Sequence, residues 1–249
     1  MMSAPLKFVN HRIEEYAMQV TLDPKKGTGT VVYNLSLIPE EDYNTALRVI
    51  RDTCRAGIAP SHLLGIKNPG EKINEYTIPP HKIGLLTLCS TTLDGLLIRR
   101  GVPHNPIGGG VVEIVDNTPR RFTHLIRYEC TTIDPLQVLI SEKTTSVTRV
   151  MKTGSGCVLA NIRECHMEAE NVIEEILEDF SDTIFSGILD VGLPNTPSLG
   201  VAVSPQYMGI VTLGGTNQMA AIREYGCDID IRAMKGVIDI SELEYVEKI

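Results

Sequence analysis

The sequence predicts an α+β or α/β fold, a mixed β-sheet with packed helices, in one domain spanning residues 1–249. Three observations predict it. Short β-rich runs alternate with stretches whose apolar residues recur at helical spacing. Residues 121–169 read in order as strand, loop, helix and strand. Residues 82–101, KIGLLTLCSTTLDGLLIRRG, align without gaps to residues 207–226, YMGIVTLGGTNQMAAIREYG, each copy a buried strand, a small-residue turn and a helix closed by glycine. Either two strand-to-helix units coincide by chance, or the fold contains two related lobes.

From the N-terminus, residues 15–21 and 29–37 are β-rich and joined by the turn Asp23-Pro24-Lys25-Lys26-Gly27, which predicts a hairpin. Pro39-Glu40-Glu41-Asp42 opens a helix with carboxylates where its dipole favours them; Ala46, Val49, Ile50 and Cys54 form the buried stripe and Gly57 ends it. Residues 60–80 read as an irregular connection, not a domain linker, with one short strand near Ile66. Gly108-Gly109-Gly110 turns the chain into a strand at 111–115, or lets another backbone or a ligand approach. On the following strand, two-residue alternation places Arg121 and Arg127 on one face.

Asp134 then caps a helix whose first residue is Pro135. The helix is expected to reach about Thr153, where Gly154 and Gly156 stop it. Lys143 falls within its apolar stripe of Leu136, Leu139, Ile140, Val147 and Val150. An ammonium there forms an internal ion pair, snorkels to water, or faces a bound anion. The apolar strand at 157–163 ends in Asn161 and Arg163, and in open α/β sheets ligands sit at strand C-termini. The acidic helix at 168–180 turns Val172, Ile176 and Phe180 to one side and Glu174, Glu175, Glu178 and Asp179 to the other, as a solvated helix or a docking surface. The tail, residues 235–249, is the least constrained segment and a candidate subunit contact.

Composition bounds the function. A chain that is 43% hydrophobic and 22% charged has ordinary globular usage. Its longest apolar runs fall short of the roughly 20 residues of a spanning helix, and the N-terminus has no apolar signal core, so a cytoplasmic protein without membrane contact is expected. Six cysteines without a CxxC pair point to reduced core thiols rather than disulfides or zinc. A net charge of −8 argues against direct nucleic-acid binding, and the basic pairs Lys25-Lys26 and Arg99-Arg100 are short.

The turns Cys89-Ser90-Thr91-Thr92 and Gly214-Gly215-Thr216-Asn217 either simply cap helices or serve as anion-binding helix starts, where free N–H groups and the dipole converge. Neither fits a phosphate-binding nucleotide loop. The candidate ligand-binding residues are therefore Ser90, Thr91, Arg127, Lys143, Asn161, Arg163, Gly215 and Thr216. No catalytic residue is assigned. Cys89, Cys130, Cys157 and Cys165 with His124 or His166 are the only nucleophile–base candidates, and an enzyme reading would be a hydrolase or transferase of a small oxo-acid.

The strings CSTTLDGLLIRRGVP, IGGGVVEIVDNTPRRFT, YECTTIDPLQVLISEKTTSV, TGSGCVLANIRE and VTLGGTNQMAAIREYG resemble, in order and spacing, the regulatory domain of the archaeal nitrogen repressor family, NrpR. The resemblance runs from about His11 to Ile231. It implies a repressor domain, with no cofactor, that senses nitrogen status by binding 2-oxoglutarate as inducer and so releases nitrogen-fixation and assimilation genes. DNA-binding members carry a winged helix-turn-helix ahead of this domain, whereas the motifs here begin almost at once. That implies a form without its own DNA reader: a homodimeric co-repressor beside a DNA-binding homologue or the transcription machinery, or an excised domain.

Some positions depart from the family pattern. Cys130 stands where glycine is expected, Thr144-Thr145 where methionine and threonine are usual, and Cys165-His166 where Ile-Pro is typical; Arg127, Asp134, Lys143, Ser146, Asn161 and Arg163 are retained. The implied ligand is a dianion needing two anchors. Arg127 or Arg163 can grip one carboxylate, and Lys143 or a helix start near Ser90 or Thr216 the other. The competing reading is a scaffold that keeps the fold and has lost the effector.

Overall fold

In the computed structural model, which describes residues 6–181 and 184–249, the long apolar runs form two five-stranded sheets paired throughout in antiparallel fashion. After α1 (Val9–Ala17), the chain builds β1 (Thr30–Pro39), α2 (Tyr43–Arg55), β2 (Leu63–Lys67), the small hairpin β3 (Lys72–Ile73) and β4 (Tyr76–Thr77), β5 (Lys82–Leu88) and α3 (Thr91–Arg99). Then follow β6 (His104–Val115), β7 (Thr118–Arg127), α4 (Pro135–Ser141), α5 (Val147–Thr153), β8 (Gly156–His166) and α6 (Glu170–Ser181). The last elements are β9 (Ile188–Val191), β10 (Tyr207–Leu213), α7 (Asn217–Glu224), β11 (Asp230–Asp239) and β12 (Glu244–Tyr245). The sheet orders are β11-β1-β5-β2-β12 and β7-β6-β8-β10-β9.

The echo in the sequence is the visible part of a longer internal repeat. The run β1-α2-β2-β5-α3-β6 recurs as β8-α6-β9-β10-α7-β11, with matching register. Tyr33 faces Leu88 as Ala160 faces Leu213, and Pro39 faces Lys82 as His166 faces Tyr207. The last strand of each half crosses over: β6 joins β8, and β11 joins β1. The helices cross over too, α2 packing on α7 and α3 on α6. Gly101 and Gly226, at φ 71° and 91°, close the two corresponding helices in the left-handed region.

Two cores result. Ile38, Ile50, Val111, Leu136, Leu159, Val211 and Met219 pack α2, α4, α5 and α7 against strands of both sheets. Val31, Tyr33, Leu86, Leu93, Ile176, Phe180 and Ile210 do the same for α1, α3 and α6. The α2 stripe is as read, with Ala46, Val49, Ile50 and Cys54 all buried, and a strand passes through Ile66.

Five expectations are corrected. Residues 15–21 do not make a strand: Val9, Ile13 and Ala17 recur at four-residue spacing and seat α1 on the core. The predicted hairpin survives as the Thr21–Thr30 contact and the Asp23–Thr28 bridge. The helix expected over 135–153 breaks after Ser141, because Lys143 turns to φ 56° and the Lys143 and Thr144 N–H groups bond back to the Ile140 and Leu139 carbonyls. Residues 235–249 are constrained, since β11 pairs along β1, β12 pairs with β2, and Val246 is buried. Arg121 and Arg127 lie on opposite faces, because a bulge at Thr123 shifts the register from Val111–His124 to Val112–Phe122 and reverses the alternation. Finally, β8 lies in an antiparallel sheet and runs on to His166, so Asn161 and Arg163 sit mid-strand and not at a parallel sheet's C-terminal edge.

Candidate functional site

The two strand-to-helix turns meet where the halves cross. The Thr87 hydroxyl donates to the Gly215 carbonyl at 2.9 Å. A Cβ on Gly215 would lie 2.5 Å from the Leu88 carbonyl oxygen and 2.6 Å from Asn34 Nδ2, so the approach requires glycine. Each helix start is tied to its neighbouring strand in the same way. Cys89 N–H donates to Val32 O at 2.9 Å and Gly214 N–H to Leu159 O at 2.8 Å. The side-chain tie differs in residue type but not in pattern: Thr92 Oγ1 accepts from Val32 N–H at 3.1 Å and donates to its carbonyl at 3.4 Å, and Asn217 accepts from Leu159 N–H at 2.8 Å and donates to its carbonyl at 2.9 Å.

A buried asparagine flanks each turn. Asn34 Nδ2 donates to Thr87 Oγ1 at 3.3 Å, and Asn34 Oδ1 accepts from Met234 N–H at 3.1 Å, at a β11 bulge where Met234 has φ 45°. Asn161 holds the equivalent register position on β8; its Nδ2 donates to Ser90 Oγ at 2.9 Å and its Oδ1 accepts from the Tyr128 hydroxyl at 2.5 Å. The Thr216 hydroxyl is buried and has no hydrogen-bond partner among the described residues. An unmet polar atom in that setting costs roughly 1–3 kcal/mol, which marks the turn as a place able to take a ligand group.

Arg163 stands two residues beyond Asn161 on the same face of β8. Its Nε and Nη2 donate to the two Asp94 carboxylate oxygens at 2.7 and 3.3 Å, and its Nη1 donates to Thr212 Oγ1 at 3.2 Å. Asp94 and Arg163 are each 2% exposed. Burial opposes the Arg163 charge, and Asp94 outweighs it, so the guanidinium is held above its ordinary pKa. His104 Nε2 lies 3.6 Å from Asp94, its Nδ1 3.3 Å from the Val102 carbonyl.

Six sequence-predicted positions therefore gather in or beside one buried polar cluster: Ser90, Thr91, Asn161, Arg163, Gly215 and Thr216. Two do not. Lys143 is exposed in the turn between α4 and α5, because the helix that would have buried it ends first. Arg127 is exposed at the end of β7 and pairs with Glu129 at 3.5 Å.

Residues that the sequence reading assigned to no site belong to the same architecture. Asn34, Thr87, Thr212 and His104 complete the cluster, and only the identity of Thr87 with Thr212 across the repeat signalled any of them. Glu224, at the end of α7, accepts the Val147 and Thr148 N–H groups at 2.9 and 2.8 Å and the Thr145 and Thr148 hydroxyls at 2.8 and 2.7 Å. A carboxylate already caps α5, close to where Lys143 suggested a bound anion.

The nucleophile–base pairs are not assembled. His124 Nδ1 lies 3.0 Å from Thr123 Oγ1, and His166 Nδ1 accepts the Glu168 N–H at 3.4 Å. Burial pushes the Cys89 thiol up to about 11 and the Cys165 thiol to about 12, far from a thiolate at neutral pH. Asp134 serves as the expected cap, its Oδ1 accepting from Leu136 and Gln137 N–H at 2.9 and 3.2 Å. Among the described residues, no group of His, Cys, Asp and Glu could hold a metal ion, and no helix is long and apolar enough to cross a membrane. Lys25, Lys26 and Arg100 pair with Asp179, Asp23 and Glu175, which neutralises much of both short basic patches.

Residues 6–245 match the family described as NrpR regulatory domains NRD1 and 2. The chain is 34% identical over 239 residues to the global nitrogen regulator NrpRI of Methanosarcina mazei, covering 96% of this chain and 73% of that protein. It is 28% identical over 235 residues to the global nitrogen regulator NrpR of Methanocaldococcus jannaschii, covering 93% of this chain and 38% of that one. For the NrpR of Methanococcus maripaludis the identity is 30% over 230 residues, with coverage of 92% and 39%. The crystal structure of a nitrogen repressor-like protein from Methanococcus jannaschii superposes with a TM-score of 0.83 at 26% identity, over 97% of this chain and 100% of that one. The chain therefore belongs to the NrpR regulatory-domain family, a family of nitrogen regulators and not of enzymes.

Proposed function

We propose that this domain is the effector-sensing part of a nitrogen transcriptional repressor or co-repressor, and that its effector is 2-oxoglutarate. The observation that carries the reading is the convergence of two helix starts, a buried guanidinium and an unpartnered hydroxyl on one cluster. In this reading Arg163 takes one carboxylate of the dianion. The N–H groups of the Gly214-Gly215-Thr216 turn and the Thr216 hydroxyl take the other end, with Ser90, Thr91 and Asn161 completing the polar lining. Lys143 and Arg127 have no part in it.

All six residues are buried, so a ligand enters only when the turns separate. Binding then favours an arrangement of the halves different from the closed one, and that difference is what makes binding a signal. The net charge of −8 supports a reading in which operator contact is made by a partner, a DNA-binding homologue or the transcription machinery, met by a homodimer of this chain.

A second reading has its own supporting observation. Asp94 already satisfies Arg163, as a scaffold that had lost its effector would require. Calorimetric titration with 2-oxoglutarate, with succinate and glutamate as controls at near-physiological salt, separates the two. Saturable binding selective for the oxo-acid, at a Kd of roughly micromolar to millimolar, is expected of the sensor. Heats no larger than dilution, from folded protein, would leave the scaffold.

A further inference from the structure

The repeat makes the Asp94–Arg163 pair informative, because the fold contains the same place twice. Arg163 on β8 corresponds to Ser36 on β1, and Asp94 on α3 to Met219 on α7. Ser36 and Met219 are as buried as their counterparts and carry no charge. The backbone therefore packs at this position without an ion pair. Replacing buried ion pairs by apolar side chains is often neutral for stability, so stability alone gives no reason for a guanidinium and a carboxylate in one half.

We propose that Asp94 is a built-in competitor at the effector site: an internal carboxylate that occupies Arg163 until a ligand carboxylate displaces it onto His104. The inference rests on the effector reading above. A dianion seeking Arg163 meets Asp94 in a bidentate grip, and a displaced carboxylate left unpaired in a buried site is costly. His104 Nε2, at 3.6 Å, is the receiving group. With Nδ1 facing the Val102 carbonyl, which only accepts, the neutral ring carries its proton on Nδ1. Nε2, which is bare in that tautomer, bonds the displaced carboxylate once it carries a proton, so the proposed transfer couples binding to that proton.

Other titratable groups surround the pair. Cys89, on the turn before α3, Cys165 on β8 and Tyr128 ahead of α4 are all pushed upward by burial and stay neutral near pH 7. Burial pushes the Asp134 carboxyl up, against the Gln137 and Leu136 N–H groups that engage it. Glu164, the neighbour of Arg163 on β8, bonds Asn105 and Ser204.

The test is calorimetric titration with 2-oxoglutarate, in two buffers of different ionisation enthalpy, of the wild type, Asp94→Asn, and the double variant Asp94→Met/Arg163→Ser, which copies the other half. The wild type is expected to bind with uptake of about one proton. Asp94→Asn should bind about tenfold more tightly, with no uptake. The double variant should keep the wild-type circular dichroism spectrum and bind nothing. If the wild type binds and Asp94→Asn is unchanged or weaker, Asp94 is no competitor and the effector reading stands without it. Wild-type binding without proton uptake contradicts the transfer to His104, a readout that needs no variant. Binding by the double variant removes Arg163 as the anchor. If neither the wild type nor Asp94→Asn binds, the effector reading falls and this inference with it.

Discussion

The two strand–turn–helix units share a backbone and diverge in chemistry. In both, a turn N–H and the side chain three residues further on secure the neighbouring strand: Cys89 and Thr92 hold Val32, Gly214 and Asn217 hold Leu159. These agreements are what the fold needs. The disagreements lie elsewhere. Thr91 Oγ1 accepts from the Cys89 thiol at 3.4 Å, whereas its counterpart Thr216 has no hydroxyl partner among the described residues; Asp94 and Arg163 form an ion pair where Met219 and Ser36 form none. Comparing the halves thus separates residues that build the molecule from residues that equip it.

The comparison breaks most visibly at the ion pair. Arg163→Met strands the Asp94 carboxylate and should destabilise the domain by about 3–5 kcal/mol, measured by urea denaturation. Its counterpart Ser36→Ala, with no charge opposite, should cost less than about 1 kcal/mol. Equal losses would mean that the halves are not chemically distinct here. Next comes Gly215→Ala, whose methyl meets the Leu88 carbonyl at 2.5 Å. It should lose about 1–3 kcal/mol, while Ser90→Ala, at the matching position of the other turn, should lose about 1 kcal/mol, through its bond to Asn161.

Smaller effects sharpen the shared part. Asn217→Ala removes two bonds to Leu159 in one half, and Thr92→Ala two longer ones to Val32 in the other. Both should destabilise, by about 2 and about 1 kcal/mol, and a change of order would show that the ties are not equivalent. The smallest effect is expected of Glu224→Gln, which weakens the cap on α5 by about 1 kcal/mol and is read most cleanly as faster amide exchange at Val147 and Thr148.

What could be read from the sequence follows from the range of each interaction. The repeat was legible because its marks, Gly84, Thr87, Thr91 and Gly101 against Gly209, Thr212, Thr216 and Gly226, lie within one strand–turn–helix unit. The Asp134 cap and the α2 stripe were legible for the same reason. Three features required contacts across the chain. The break after Ser141 depends on a left-handed Lys143 and on Glu224 receiving the next helix. The bulge at Thr123 is defined only against β6. Asp94 reads locally as a helix-start residue, and its role emerges only when β8 brings Arg163 and β6 brings His104 beside it.

The most direct test of the central claim is backbone hydrogen exchange with and without saturating 2-oxoglutarate. The account predicts changed exchange at both turns, residues 89–92 and 214–217, with the segments around Arg127 and Lys143 unaltered. Exchange that changes around Lys143 or Arg127 while both turns stay as they were would place the effector elsewhere and contradict it.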